Sequence, residues 1–229
     1  MNTYFISGLG ADQRIFSRLK LSEKITVIHI DWIDPHKNES LEAYAERLSQ
    51  IIDTSRPFAL VGVSFGGMIA VEMAKRLKPV ATIIISSTML SSHLPGLYRF
   101  AGKFKLLKFI PAKFLKASNK LTQHYFFGTK SSNEKILLNR IIEDTDPHFL
   151  KWAIGSILSW RNKTVPERIY HIHGTQDKIL YARIAKPDFV INNGTHFMVY
   201  QNAKQISGII DQLILNNGTE NLTPLAKND

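Results

Sequence analysis

The chain has 229 residues, 44% of them hydrophobic, and 29 Lys+Arg against 19 Asp+Glu give it a formal net charge of +10. That length and apolar share suit one large domain, or a domain with an insertion, built on a substantial core. Cysteine is absent, which excludes disulfides and thiolate metal sites, and no uncharged apolar run reaches the ~18 residues of a membrane span.

The first residues, "MNTYFISGLG", show neither the basic n-region nor the long apolar h-region of a signal peptide, so a cytoplasmic location is expected. Asn193-Gly194-Thr195 and Asn217-Gly218-Thr219 match the glycosylation pattern, and without a secretion signal they are read as chance.

From the start of the chain, two kinds of segment alternate. "TYFIS" (3–7) reads as a buried strand, "ADQRIFSRLK" as a short helix and "KITVIHI" (24–30) as a strand. "ESLEAYAERLSQIID" carries Leu41, Tyr44, Ala45, Leu48, Ile51 and Ile52 at helical spacing, with Ser40 or Asn38 as its cap. "FALVGV" is a strand, "GGMIAVEMAKRLK" a helix that stops before Pro79, and "VATIIIS" another strand. This β-α-β-α order argues for a parallel sheet with helices on both faces. Strands apolar throughout fit a sheet covered on both sides.

After Thr88 the pattern changes to short helical pieces, up to about Pro166. "RIYHIHG" (168–174) and "PDFVINNG" (187–194) restore strands, and "NAKQISGIIDQLIL" closes with a helix. The expected layout is an α/β core of residues 1–87 and 167–215, a helical insertion at 88–166, and a polar, disordered tail at 216–229.

A serine walled by glycines stands where "FALVGV" turns into the next helix. A nucleophile at such a corner must be exposed on a strained backbone, and small residues two before and two after let strand and helix approach. Gly62-Val63-Ser64-Phe65-Gly66 supplies that pattern in that context. A hydroxyl needs a base, and the base an orienting acid. In this arrangement the chain order is Ser, then Asp or Glu, then His. His29, His36, His93, His124 and His148 all come before the last two strands, and His171 and His173 belong to the first of these. His196, in "NNGTHFMVY", follows the last strand and is the expected base. Asp177 stands in the turn after "RIYHIHG" and is preferred as the acid to Asp188, which would start the last strand at the opposite sheet edge. The oxyanion donors are expected to be the backbone N–H groups of Phe65 and of Leu9, within Gly8-Leu9-Gly10. A lone Gly-x-Gly is weak evidence for a dinucleotide site.

These stretches, "SGLGADQRIF", "LVGVSFGGMIA", "HIHGTQD" and "GTHF", resemble the α/β-hydrolase superfamily in order and spacing, over nearly everything from Thr3 to Leu215. The resemblance implies a mostly parallel sheet of about six strands, a Ser64–Asp177–His196 triad and a helical cap at 88–166. It departs from the family in two places. The first strand begins at residue 3, so the N-terminal antiparallel hairpin is reduced, and Ser7-Gly8 replaces the common His-Gly before the oxyanion residue. A Ser nucleophile rather than Asp argues against the dehalogenase and epoxide-hydrolase branches.

The expected activity is hydrolysis of carboxylic esters or thioesters with a small or medium acyl group, through an acyl-serine intermediate and without cofactor or metal. Two alternatives stay open: carbon–carbon bond hydrolysis or a lyase reaction on the same residues, and a non-catalytic ligand-binding receptor of the same fold. Gly8, Trp152 and Phe197 are candidates for the substrate pocket. The insertion aromatics (Phe100, Phe104, Phe109, Phe114, Tyr125, Phe126, Phe127, Phe149, Trp152, Trp160) line that pocket or form the insertion's own core. No acid occurs from Ser91 to Asn133, where Arg99, Lys103, Lys105, Lys108, Lys113, Lys116, Lys120 and Lys130 lie. A solvated face is the first reading of that run, attraction of an anionic substrate the second and transient contact with an anionic surface the third. Nucleic-acid binding would rest on net charge alone and is not expected.

Overall fold

The computed structural model describes residues 1–103, 107 and 110–217, apart from the side chains of 118–121 and 217. Phe104, Lys105, Lys108, Phe109, the Lys120 side chain and tail residues 218–229 lie outside the described residues.

Six strands form one sheet: β1 (Asn2–Ile6), β2 (Thr26–Ile30), β3 (Phe58–Val63), β4 (Ala81–Ile85), β5 (Ile169–Gly174) and β6 (Phe189–Ile191), in the order β2-β1-β3-β4-β5-β6. All five pairings are parallel. The side-chain period of two sends alternate residues to two cores. Tyr4, Ile6, Phe58, Leu60 and Ile84 face one; Phe5, Ala59, Val61, Ile83 and Ile85 face the other. Helices α1 (Leu41–Leu48) and α2 (Phe65–Leu77) cover the first core, and the long C-terminal helix (Ala203–Asn217) covers the second. Ser40, not Asn38, caps α1, its hydroxyl accepting the Ala43 N–H at 3.2 Å.

The expected helix over 11–20 shrinks to a 3₁₀ turn at Gln13–Phe16. The chain just past this turn is held instead by the C-terminal helix: Lys20 N–H donates to Ser207 Oγ at 2.9 Å and Ser22 N–H to Asp211 Oδ1 at 3.0 Å. Edge strand β2 is therefore half uncovered, Val27 is exposed, and a cavity of about 540 Å³ opens beside His29 and Phe16.

Among the described residues four α-helices come between β4 and β5: α3 (Gly96–Lys103), α4 (Ala112–Phe127), α5 (Ser132–Asp144) and α6 (Pro147–Ser159). Ser131 caps α5, and Asp146, followed by Pro147, caps α6. After β5 come two single turns, α7 (Ala182–Ala185) and α8 (Met198–Gln201), and then α9, the C-terminal helix. The insertion is tied to the core at its far end. Trp160 Nε1 donates to Glu72 Oε1 on α2 at 2.8 Å, and Lys75 pairs with the same buried carboxylate. Among the described residues no helix is long and apolar enough to cross a membrane.

Candidate active site

In a parallel sheet every strand delivers its carboxyl end to the same edge, where ligands bind in open α/β folds. Here the Gly8 loop follows β1, Ser64 follows β3, Asp177 follows β5 and His196 follows β6.

Ser64 sits at φ +54° and ψ −117°, a conformation that costs a non-glycine residue on the order of 1–3 kcal/mol. Its surroundings hold it there. The Ser64 N–H donates to Ile85 O at 2.9 Å, and Ser87 Oγ donates to Ser64 O at 2.6 Å. A Cβ on Gly62 would run into the Gly66 backbone, and one on Gly66 into the carbonyls of Ile6 and Ser7. The flanking glycines are thus the condition for strand and helix to meet. The Ser64 side chain makes no cap to α2; it points to His196.

His196 Nδ1 lies 2.8 Å from Asp177 Oδ2, and His196 Nε2 lies 2.9 Å from Ser64 Oγ. A carboxylate only accepts, so the Nδ1–H donates to Asp177 and the neutral ring's Nε2 is left to accept the Ser64 hydroxyl proton. Burial is the largest influence on Asp177 and pushes its carboxyl up, but the charge of His196 and the hydrogen bonds from His173 and His196 together hold it well below the usual range. The other oxygen, Oδ1, accepts the N–H groups of Ile179 at 2.9 Å and Leu180 at 3.0 Å. Asp188 is elsewhere: its Oδ2 accepts the backbone N–H of His171 at 2.9 Å, within β5.

The insertion helps to place both loops. Thr145, between α5 and α6, holds its hydroxyl 2.8 Å from both Gly10 O and Ile141 O, which share its one proton, and Arg14 pairs with Asp144 at 2.6 Å. At the other side Phe197 N–H donates to Phe127 O at 3.2 Å, and Gln201 bridges Gly128 O at 3.0 Å and Glu134 at 2.7 Å. The Phe127 ring stands edge-on to His196. Among the described residues the N–H groups of Leu9 and Phe65 donate no hydrogen bond inside the protein, and a Cβ on Gly8 would lie 3.5 Å from Ser64 Cβ. Both N–H groups belong to the turns that meet at Ser64, one next to Gly8 and one next to Ser64 itself.

A cavity of about 710 Å³ opens over Ser64 between this edge and the insertion. Gly8, Leu9 and Phe197 belong to its lining, as do Phe126 and Phe127 from α4. Most of its wall is aliphatic, with Ile141, Ile142, Leu150, Ile154 and Ile157 from α5 and α6. Apart from His196, no titratable side chain but that of Tyr98 is among the described lining residues, and none is Asp, Glu, Lys or Arg. Trp152 is not in this lining: its indole packs tilted against Tyr44 and Phe149 and edge-to-face with Phe65, and it donates to Glu39 O at 2.9 Å, joining α6 to the core. Of the other insertion aromatics, Phe149 and Trp160 are buried in packing, and Phe100, Phe114 and Tyr125 are exposed. Among the described residues no group of three His, Asp or Glu side chains could hold a metal ion.

Sequence reasoning missed His173, whose Nε2 lies 3.2 Å from Asp177 Oδ2. The i,i+2 spacing of His171 and His173 on one strand is the signal that could have found the pair, since it puts both rings on one face.

Similar folds occur in solved structures. A thermophilic esterase from Thermogutta terrifontis is 13% identical with a TM-score of 0.70, covering 96% of this chain and 91% of that one. MenH from S. aureus is 16% identical with a TM-score of 0.71 and coverage of 96% and 95%. A meta-cleavage product hydrolase from Pseudomonas fluorescens IP01 is 15% identical with a TM-score of 0.67 and coverage of 94% and 91%. No curated protein sequence matches the chain. The model of the alpha/beta hydrolase family matches residues 4–207, which takes in all six strand-end loops and the insertion, and this chain belongs to that family.

Proposed function

We propose that the protein is a serine hydrolase of carboxylic esters or thioesters with an uncharged acyl group, acting through an acyl-Ser64 intermediate. The observation that carries this reading is the hydrogen-bonded run Ser64–His196–Asp177 at the floor of a cavity walled by aliphatic side chains. The family membership and the fold shared with an esterase support it.

Ser64 Oγ attacks the acyl carbonyl as its proton passes to His196 Nε2. Asp177 stays ionised and stabilises the imidazolium that forms. The N–H groups of Leu9 and Phe65 receive the oxyanion, fixed donors at the floor of an apolar cavity, an arrangement typically worth two to three decades in rate per donor. The imidazolium returns its proton to the leaving alcohol or thiol. Water, deprotonated by the same imidazole, then releases the acid. Residues 88–166 act in this reading as a cap whose aliphatic wall accepts the acyl chain. Trp152 orients that cap without touching substrate.

The test is turnover of p-nitrophenyl esters and acyl thioesters by wild type and Ser64→Ala, with fluorophosphonate labelling of both. Wild type should turn over many times and label at Ser64. The variant should fold, stay unlabelled and lose roughly three to six decades of rate. A variant that keeps a few per cent of activity would overturn the assignment. Labelling without turnover would favour the receptor alternative.

A further inference from the structure

His171 and His173 alternate along β5 with one residue between them, so both rings fall on the same face of the sheet. Both are fully buried. His171 Nε2 lies 2.8 Å from His173 Nδ1, and His173 Nε2 lies 2.9 Å from Leu180 O and 3.2 Å from Asp177 Oδ2. The partners decide the tautomers. A carbonyl and a carboxylate accept only, so the proton of His173 is on Nε2. Its Nδ1 is then an acceptor in the neutral ring, and His171 must donate to it from Nε2. That leaves His171 Nδ1 without a proton, a buried nitrogen that makes no well-formed hydrogen bond and has the Ser87 backbone close by. A neutral His171 agrees with its surroundings: burial, then His173 and His93, hold it down to about 3.

Asp177 Oδ2 thus faces two imidazoles: His196 Nδ1–H donates to it at 2.8 Å, and His173 Nε2, whose one N–H donates to Leu180 O at 2.9 Å, lies 3.2 Å away, while Oδ1 takes two backbone N–H groups. We propose that His173 is a positioning residue for the hydrolase reaction: its Nε2–H, anchored on Leu180 O, stands beside Oδ2, holds that oxygen in place for His196 and divides the charge His196 meets, with His171 locking the donating tautomer. This rests on the Ser64–His196–Asp177 reading. The other titratable groups nearby are Tyr98 on α3, which faces Asp177, and His93, which faces His171 with Lys186 beyond it. None of these three makes a hydrogen bond to the carboxylate.

The direction of the effect follows from charge. A carboxylate shared between two donors stabilises protonated His196 less than one facing His196 alone. Removing the His173 N–H should therefore make His196 more basic and hold it protonated, hence inactive as a base, to higher pH. It should also loosen Oδ2. A glutamine at 173 has a side-chain amide N–H at nearly the same reach as Nε2 and needs no tautomer lock.

The experiment compares wild type, His173→Leu and His173→Gln by the pH dependence of kcat and kcat/KM. In His173→Leu the acid limb should move up by roughly half to one pH unit, with kcat lowered about tenfold and KM nearly unchanged. His173→Gln should restore most of both. An acid limb that stays at the wild-type position in a folded His173→Leu, or an equal shift in both variants, would overturn the proposal. A second measurement needs no variant and no activity. Long-range ¹H–¹⁵N correlation on the wild-type protein at neutral pH should find both His171 and His173 protonated at Nε2 only; an Nδ1–H on His173, or a cationic ring at 171, would overturn it. If Ser64→Ala kept its activity while these tautomers held, the fault would lie with the hydrolase reading and not with the histidine pair.

Discussion

Asp177 and Asp188 attach to different ends of one strand. Asp177 stands past the carboxyl end of β5 and accepts from His196 Nδ1 at 2.8 Å, whereas Asp188 stands just before the amino end of β6 and accepts the His171 N–H at 2.9 Å. Only the first is on the Ser64 edge. Asp177→Asn should lower kcat/KM by about four decades with the fold preserved, because an amide in place of the carboxylate selects the wrong imidazole tautomer. Asp188→Asn should change it less than about threefold, since an amide oxygen still accepts the backbone N–H. Ester turnover and circular dichroism of the two variants check this; the reverse order of effects would remove Asp177 from its role.

The glycine at 66 should tolerate nothing larger. A Cβ there meets the carbonyls of Ile6 and Ser7, backbone atoms of a central strand and its loop that cannot step aside. Gly66→Ala should cost at least about 1–3 kcal/mol and lower Tm by several degrees, or prevent folding. Gly208→Ala is the control. Residue 208 is exposed within α9, an added Cβ there meets nothing within 4 Å, and alanine should gain roughly 0.5–1 kcal/mol from helix propensity. Thermal melts of the two variants should move in opposite directions.

Stability should fall in mild acid, and His171 should account for part of it. In the unfolded chain a histidine takes up its proton near pH 6.5. In the fold, burial and then the neighbouring His173 and His93 delay this to about 3. Between those limits the unfolded state binds the extra proton, so the contribution is complete above the upper limit and is lost as pH drops towards the lower one. One such proton gives a slope of up to about 1.4 kcal/mol per pH unit. His29 and His93, lowered chiefly by burial, add to the same trend. Urea midpoints from pH 7 to pH 4 should show the slope in wild type and a shallower one in His171→Leu. Equal slopes would mean that His171 is not a source of it.

Chain-length preference should follow the aliphatic wall. Ile154 on α6 lines the cavity. Ile154→Trp should leave acetyl ester turnover nearly unchanged and reduce longer chains progressively, by about fourfold for each methylene denied its burial. The check is kcat/KM over a p-nitrophenyl series from acetate to laurate. A uniform loss across the series would place the acyl chain elsewhere.

Much of this architecture is legible in the chain because it rests on local rules. Strands buried on both faces must be mostly apolar, and β3 reads so throughout, β1 and β4 with one buried threonine each. Gly62, Ser64 and Gly66 announce the corner, since strand and helix can cross so closely only without side chains. Strand direction alone separates Asp177 from Asp188, because a parallel sheet gathers all its carboxyl ends at one edge.

What the sequence left undetermined depends on partners far along the chain. The helix expected at 11–20 stops at Phe16, and the chain beyond it is drawn to the C-terminal helix, Lys20 N–H bonding Ser207 and Ser22 N–H bonding Asp211, 187 and 189 residues away. Trp152 reads as a pocket aromatic, yet a bond to Glu39 O, 113 residues away, turns it into packing between α6 and the core. Thr145 reaches Gly10 across 135 residues and so steadies the loop that holds Leu9. His173 is an ordinary strand residue until the turn after β5 folds Asp177 back beneath its ring. A period of two or 3.6 tells which face a side chain takes. Which group waits on that face is settled only when the sheet and the inserted helices have packed, because these hydrogen bonds join atoms that no local pattern relates.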